Sequence, residues 1–126
     1  MAYLVDSNVF IDYVSERFSE HQLQSLDAIF DDGLNISIIT KIEILGFNIS
    51  FEEERRMIEF LSYADIIQLT DDIVNVTISI RKSIKIKTPD AIIAATALIN
   101  GHTLLTSNTS DFKRIEELKL LRPVEL

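Results

Sequence analysis

Asp6, Glu43, Asp90 and the Asn108/Asp111 pair are the residues of this chain whose types and spacing could bring oxygen ligands together around a metal ion. They lie in the segments LVDSNVF, TKIEIL, KTPDAIIAATAL and TSNTSDF. Each sits where an apolar, strand-like run gives way to a polar turn or to the first turn of a helix. In an open α/β sheet such points gather along one edge, at the carboxyl ends of the strands, where ligands bind. Two carboxylates about 4 Å apart repel by about 4 kcal/mol at an effective dielectric near 20. A cluster of them therefore destabilises the fold or holds a proton, unless a cation reverses the sign. Mg²⁺ and Mn²⁺ favour oxygen ligands and meet substrate phosphates directly. The chemistry expected of such a site is displacement at phosphorus by activated water, with no His, Ser or Cys nucleophile.

Each residue also has a plainer role. Asp6, beside Ser7 and Asn8, could be a turn residue binding its own backbone. Thr40 and Glu43 have the spacing of a capping box, in which Glu43 would fold back onto the Thr40 N–H and could not reach a metal. Those two readings of Glu43 make opposite predictions, and local pattern does not choose between them. Asp90 could simply be a favourable charge at a helix N-terminus, worth about 0.3–1 kcal/mol. That is little reason for an acid to precede the most apolar helix in the chain, and a site is preferred. Ser110 or Asp111 could cap a helix, yet the TSNTSDF loop would leave the sheet on the same edge as Asp6.

Arg81, Lys82, Lys85 and Lys87 cluster just before Asp90. Arg81 and Lys85 would share a helical face, which is either solvated or a phosphate track leading to the acidic site. His21 and His102 lie outside every motif and read as surface or turn residues. The apolar stretch Ile44 to Phe51 breaks helical periodicity, so it is a candidate partner-facing surface as well as core.

The bulk composition restricts the choices. At 126 residues, 47% hydrophobic with three Gly and two Pro, the chain is expected to be one globular domain, residues 1–126. With no cysteine, disulfide scaffolds, zinc-thiolate sites and thiol catalysis are excluded. The start MAYLVDSN lacks the basic region of a signal peptide, and no apolar run is long enough to span a membrane. A net charge of −8 argues against a broad nucleic-acid-binding surface but not against a nuclease, whose carboxylates are offset by bound cations.

The elements that must position these residues alternate along the chain. Tyr3–Val5 reads as a strand ending at Asp6, with helix from about Val9 to Val14. Ser19 and Gln22 form a capping box opening a helix with the stripe Leu23, Leu26, Ile29 and Phe30, which Gly33 terminates. Asn35–Ile39 alternates like a strand, followed by helix from Thr40 to about Leu45. Ser50 and Glu53 open a helix to about Tyr63, with Glu52 and Arg56 spaced for an ion pair. Ile66–Leu69 is the next strand, and Thr70 opens a helix containing Ile73–Ile80. Pro89 at the start and Gly101 past the end bound the clearest helix. Thr103–Thr106 is a strand, Asp111–Leu118 a short helix, and Leu121–Val124 a possible edge strand, the place where Pro123 is tolerated. Such alternation predicts a three-layer α/β/α sandwich around a mainly parallel sheet of four to five strands.

Taken together, LVDSNVFIDY, TKIEIL, RKSIKIKTPDAIIAATAL and LLTSNTSDF, in this order and spacing, resemble a PIN domain of the VapC-like toxin group. The resemblance covers Tyr3 to Phe112 and is most specific in KTPDAIIAATAL and TSNTSDF. It implies a PIN-like fold and a Mg²⁺- or Mn²⁺-dependent ribonuclease, the toxin of a toxin–antitoxin pair acting on RNA in the cytoplasm. It further implies that Asp6, Glu43, Asp90 and Asp111 form an acidic quartet, with Ser7, Thr106 and Asn108 lining the site. Ser7 stands where the family often has Thr, and the fourth acidic position is the least uniform, which puts direct ligation by Asp111 in doubt. A homodimer and a small antitoxin partner are also implied. Two rivals remain: a non-catalytic PIN-like module that docks RNA or protein, and an aspartyl-nucleophile phosphatase. The latter would want an acid where Asn8 stands.

Overall fold

The computed structural model describes residues 1–126. Its strands are β1 (Tyr3–Val5), β2 (Asn35–Ser37), β3 (Asp65–Ile67), β4 (Thr103–Leu105) and β5 (Leu120–Leu121). Its helices are α1 (Ser7–Val14), α2 (Glu20–Asp31), α3 (Ile38–Leu45), α4 (Phe51–Leu61), α5 (Asp71–Ser83) and α6 (Thr88–Asn100). Every strand pair is parallel, in the order β3-β2-β1-β4-β5, and helices cover both faces. The expected α/β/α architecture is the observed one.

The strands are short and almost wholly apolar because both faces of the sheet are covered. Successive strand residues point to opposite faces, which divides the core in two. Leu4 and the Leu104 opposite it join Ile73 and Ile80 of α5, Ile93 of α6 and Phe112. Val5 and its partner Leu105 join Phe10 of α1, Leu26 of α2, Ile44 of α3 and Met57 of α4. Helix boundaries follow local chemistry. Ser19 accepts from the Gln22 N–H while Gln22 accepts from the Ser19 N–H, closing the expected box. Ser50 accepts from the Glu53 N–H, but Glu53 does not reach back, so that box is half formed. Pro89 opens α6, and Gly101 closes it at φ +66°, where a Cβ is disfavoured.

Several boundaries differ from expectation. α1 begins at Ser7 rather than Val9, because Asp6 caps it. Ile38 and Ile39 are helical, not strand: the Ser37 hydroxyl accepts from the Ile39 N–H and starts α3 two residues early. β3 spans Asp65–Ile67 instead of running to Leu69, and α4 ends at Leu61. Glu52 and Arg56 do not pair; the ion pairs formed are Arg17–Asp12 and Arg122–Glu125. Asp111–Leu118 is not a helix. Thr109–Asp111 makes one 3-10 turn, and the backbone then winds through further turns that bury Phe112, Ile115 and Leu118. β5 is an edge strand, but it stops at Leu121, and Pro123 opens a 3-10 turn instead of extending it.

Candidate active site

Strand order fixes where the site lies. From β1 the chain moves outward to β2 and β3, then crosses back to β4 on the other side of β1. Connections leave β1 and β4 in a crevice between oppositely directed crossovers, the usual ligand position in such sheets. Asp6 follows β1 and Thr106 follows β4, side by side. Asp6 is only 5% exposed, and its carboxylate is held on both oxygens. Oδ1 accepts from the Ser7 N–H at 2.9 Å; Oδ2 accepts from the Thr106 hydroxyl at 2.8 Å and from the Asn8 amide at 3.3 Å. The plain capping role of Asp6 is therefore real, and it coexists with a place in the cleft.

The TSNTSDF loop is tied to this anchor. The Thr106 hydroxyl accepts from the Asn108 N–H at 3.1 Å, and the Asn8 side-chain oxygen from the Ser107 N–H at 3.0 Å. The Asn108 amide donates to Asp111 Oδ2 at 2.5 Å and accepts from the Ser110 hydroxyl at 2.9 Å. Asp111 is thereby aimed back toward the sheet edge. Asp90 enters from the first turn of α6, set by Pro89.

Glu43 resolves the ambiguity seen in the sequence. α3 is capped by Ser37, so Thr40 lies within the helix, and Glu43 does not bond to its N–H. Glu43 instead enters the cleft, and its Oε1 is buried with no hydrogen-bond partner. A buried carboxylate oxygen left without a partner calls for a cation or a water. The Thr40 hydroxyl is also buried and unpartnered.

Asp6, Ser7, Glu43, Lys87, Asp90, Asn108 and Asp111 line one cleft of about 290 Å³. The carboxylates sense one another. Burial pushes the Asp6 carboxyl above its ordinary value, against three hydrogen bonds that lower it, and the Asp111 charge adds to the rise. Glu43 is raised by burial and then by Asp6 and Asp90, with the Ser7 hydroxyl opposing. Asp90 is raised by burial, then by Asp111 and Asp6, with Lys87 opposing. Three carboxyls raised by burial and by each other form an arrangement in want of positive charge.

No three of these side chains enclose a single point closely enough to hold an ion by themselves. That geometry suits a cation bound through one or two carboxylates, with waters and a phosphate completing its shell. It does not suit an all-protein cage. The donor set, all oxygen, fits Mg²⁺ or Mn²⁺ and not a thiolate or imidazole metal.

The quartet and Ser7, Thr106 and Asn108 are thus brought together. Lys87 reaches the central cleft, while Arg81 and Lys85 line an adjoining groove with Asp90 and Asp111. Their shared helical face is not formed: α5 ends at Ser83, and Lys85 lies in the connector to α6. Asn8 and Arg114 went unassigned by sequence reasoning. Asn8 had a signal, its place two residues after Asp6; Arg114 had none, because only the fold brings it beside Lys85. His21 is exposed as expected, whereas His102 is half-buried, its Nδ1 without a partner.

Known proteins share the family and the fold of this chain. The PIN domain family model matches residues 3–118. Ribonuclease VapC1 of Rickettsia felis is 51% identical over 41 residues, a stretch covering 32% of this chain and 31% of that protein. The chain therefore matches less than a third of that relative's length. Among solved structures, a toxin-antitoxin complex from Klebsiella pneumoniae contains a chain 30% identical, with TM-score 0.77, covering 97% of this chain and 98% of that one. VapBC2 from Rickettsia felis bound to a promoter DNA fragment gives TM-score 0.82 at 23% identity, over 97% and 98% of the two chains. VapBC-1 from nontypeable Haemophilus influenzae gives 0.81 at 21%, over 98% and 99%.

Proposed function

The chain belongs to the PIN domain family, and from that premise we propose that it is a metal-dependent endoribonuclease working as a single domain, the toxin of a toxin–antitoxin pair. The observation that carries the reading is the cleft in which Asp6, Glu43, Asp90 and Asp111 meet with raised carboxyls and an orphaned Glu43 oxygen. The 51% identity to a ribonuclease over 41 residues supports the reaction class. The structural likeness to a toxin-antitoxin complex at 30% identity supports an antitoxin partner.

Asp6, Glu43 and Asp90 would hold Mg²⁺ or Mn²⁺, no more than two of them directly and the remaining one through water, with Asp111 completing the site or orienting water. When bound, the cation supplies Lewis-acid activation of water and offsets charge on the phosphate oxygens. The protein's own groups set the geometry. Thr106 and Asn8 fix the Asp6 carboxylate, Asn108 fixes that of Asp111, and Ser7 offers a hydroxyl beside Glu43. A carboxylate not engaged by the cation can accept the proton leaving the attacking water, a role matched to the raised Glu43. Lys87, at the cleft wall, offsets phosphate charge. The exposed Leu45 and Phe51, flanking the turn between α3 and α4, are the surface on which a small antitoxin would seat; homodimerisation and action in the cytoplasm complete the proposal. No helix is long and apolar enough to cross a membrane.

Thermal unfolding with millimolar Mn²⁺ or Mg²⁺ tests the site. Metal at about 100 times its Kd adds roughly 2.7 kcal/mol to the wild type and nothing to Asp90→Asn. Cleavage of RNA by the wild type, lost in folded Asp6→Asn and Asp90→Asn, completes the test. Full activity in those folded variants overturns the reading and favours the non-catalytic module.

A further inference from the structure

Thr40 is fully buried in the first turn of α3, and among the buried hydroxyls its own is left without a hydrogen-bond partner. Elsewhere in the helices the carbonyl four residues back satisfies such groups. Thr77 donates to Ile73 at 2.7 Å, Thr96 to Ile92 at 2.7 Å and Ser83 to Ser79 at 3.0 Å. Thr40 has no such acceptor on its own helix. It is the third residue of α3, so the residue four before it, Ile36, belongs to β2. The Ser37 hydroxyl is already taken by the Ile39 N–H. One turn further along α3, Glu43 Oε1 is in the same condition, buried and without a partner. Residues three apart are neighbours on a helical face, with Cβ atoms about 5–6 Å apart. A donor and an acceptor, both withdrawn from solvent and not bonded to each other, therefore stand within the reach of one water molecule.

We propose that Thr40 is the positioning residue of Glu43: its hydroxyl, through one buried water shared with Glu43 Oε1, fixes the carboxylate so that its other oxygen serves the cleft. The inference rests on the metal-dependent reading of the cleft and adds what holds one of its carboxylates. Buried polar groups are rarely left unpaired, and a buried water typically satisfies about three of them at once. Thr106 and Asn8 hold Asp6 and Asn108 holds Asp111 by direct bonds. Thr40 does the same for Glu43 from inside the fold. It does not line the cleft, so it touches neither cation nor substrate. Outer partners of this kind orient metal-binding carboxylates and strengthen their hold on the ion.

The test compares Thr40→Val, which keeps the shape and loses the hydroxyl, with the pair Thr40→Ser and Thr40→Ala, which lose the same methyl and differ only in the hydroxyl. Mn²⁺ binding is read from the EPR signal of the free aqueous ion with no RNA present, and folding from urea denaturation of metal-free protein. Thr40→Val and Thr40→Ala should bind Mn²⁺ at least about tenfold more weakly than wild type and Thr40→Ser respectively. In a Glu43→Gln background Thr40→Val should weaken binding no further, because the hydroxyl acts through Glu43. A merely stranded hydroxyl has the opposite signature. Thr40→Val then leaves Mn²⁺ binding unchanged and raises the urea midpoint, since an unsatisfied buried donor gives way to an apolar group of the same shape. That result, or equal losses in Thr40→Ser and Thr40→Ala, overturns the proposal, and the Ser/Ala pair decides if Thr40→Val does not fold. A wild type that binds no Mn²⁺ overturns the metal reading instead. The bridge is then judged by the urea midpoint, which Thr40→Val lowers if the water is shared and raises if it is not.

Discussion

Thr106→Val is the substitution that best isolates what the fold does for the site. Valine matches threonine in shape, and Thr106 is fully buried at the end of β4. The change therefore removes a hydroxyl without opening a cavity. That hydroxyl donates to Asp6 Oδ2 at 2.8 Å and accepts from the Asn108 N–H at 3.1 Å. A hydrogen bond to a charged group contributes about 1.5–3 kcal/mol, and Asp6, at 5% exposure, has little water to replace it. The Asn108 N–H is nearer solvent and recovers most of its loss. A destabilisation of about 2–3 kcal/mol near neutral pH follows. The bond lowers the Asp6 pKa against the effect of burial, so its removal raises that pKa further. The penalty is thus fully present where Asp6 is ionised and shrinks as pH falls through its raised folded value. Urea denaturation of both proteins across pH measures it. A penalty below about 0.5 kcal/mol at neutral pH, or one that does not shrink in acid, would refute the reasoning.

Three further outcomes are expected. Asp6, Glu43 and Asp90 are all raised above ordinary values of 3.8, 4.5 and 3.8, so the folded protein holds their protons more tightly than the unfolded chain. Their contribution is fully favourable below those ordinary values and is lost as pH rises through the folded ones. The urea midpoint of metal-free protein should fall across that window, less steeply in Glu43→Gln, and Mn²⁺ should restore it. Gly101→Ala should lower stability by about 1 kcal/mol from backbone strain alone, since φ is +66° and a Cβ there meets nothing within 4 Å; thermal melting reads it. Ser19→Ala, which removes the acceptor for the Gln22 N–H and half of the box opening α2, should cost about 1 kcal/mol in urea denaturation while leaving cleavage unchanged.

Much of the site was legible because its residues sit at strand-to-helix junctions, which polarity marks plainly. The LVDSN junction, the Pro89–Gly101 helix and the polar loop after β4 all lie where the pattern put them. The errors share a physical origin. Ile38 and Ile39 read as strand because β-branched residues favour it, but Ser37 is an equally good cap and packing of Ile44 into the core decided for helix. The apolar spacing of Phe112, Ile115 and Leu118 looks helical and is instead met by successive turns, each burying one residue. The Thr40/Glu43 box was spurious because capping depends on where a helix begins, which sequence locates only to within a few residues. Asn8 carried a local signal in its place two residues after Asp6, but its bond to the Ser107 N–H spans 99 residues, and Arg114 meets the Lys85 carbonyl across 29, beyond any local pattern.

The position of β1 in the middle of the sheet has a consequence for synthesis. Asp6 acquires its Thr106 partner from a segment made 100 residues later. β1 cannot be flanked on both sides until β4 has left the ribosome. Until then the nascent chain has β2 and β3 available but no crevice, no anchored loop and no convergence of acids. The cleft cannot form before both β1 and β4 are made, so a chain that stops short of β4 lacks it altogether. The same long-range parallel pairing slows folding of the released chain, giving a partner that recognises the finished surface an interval in which nothing needs to be restrained.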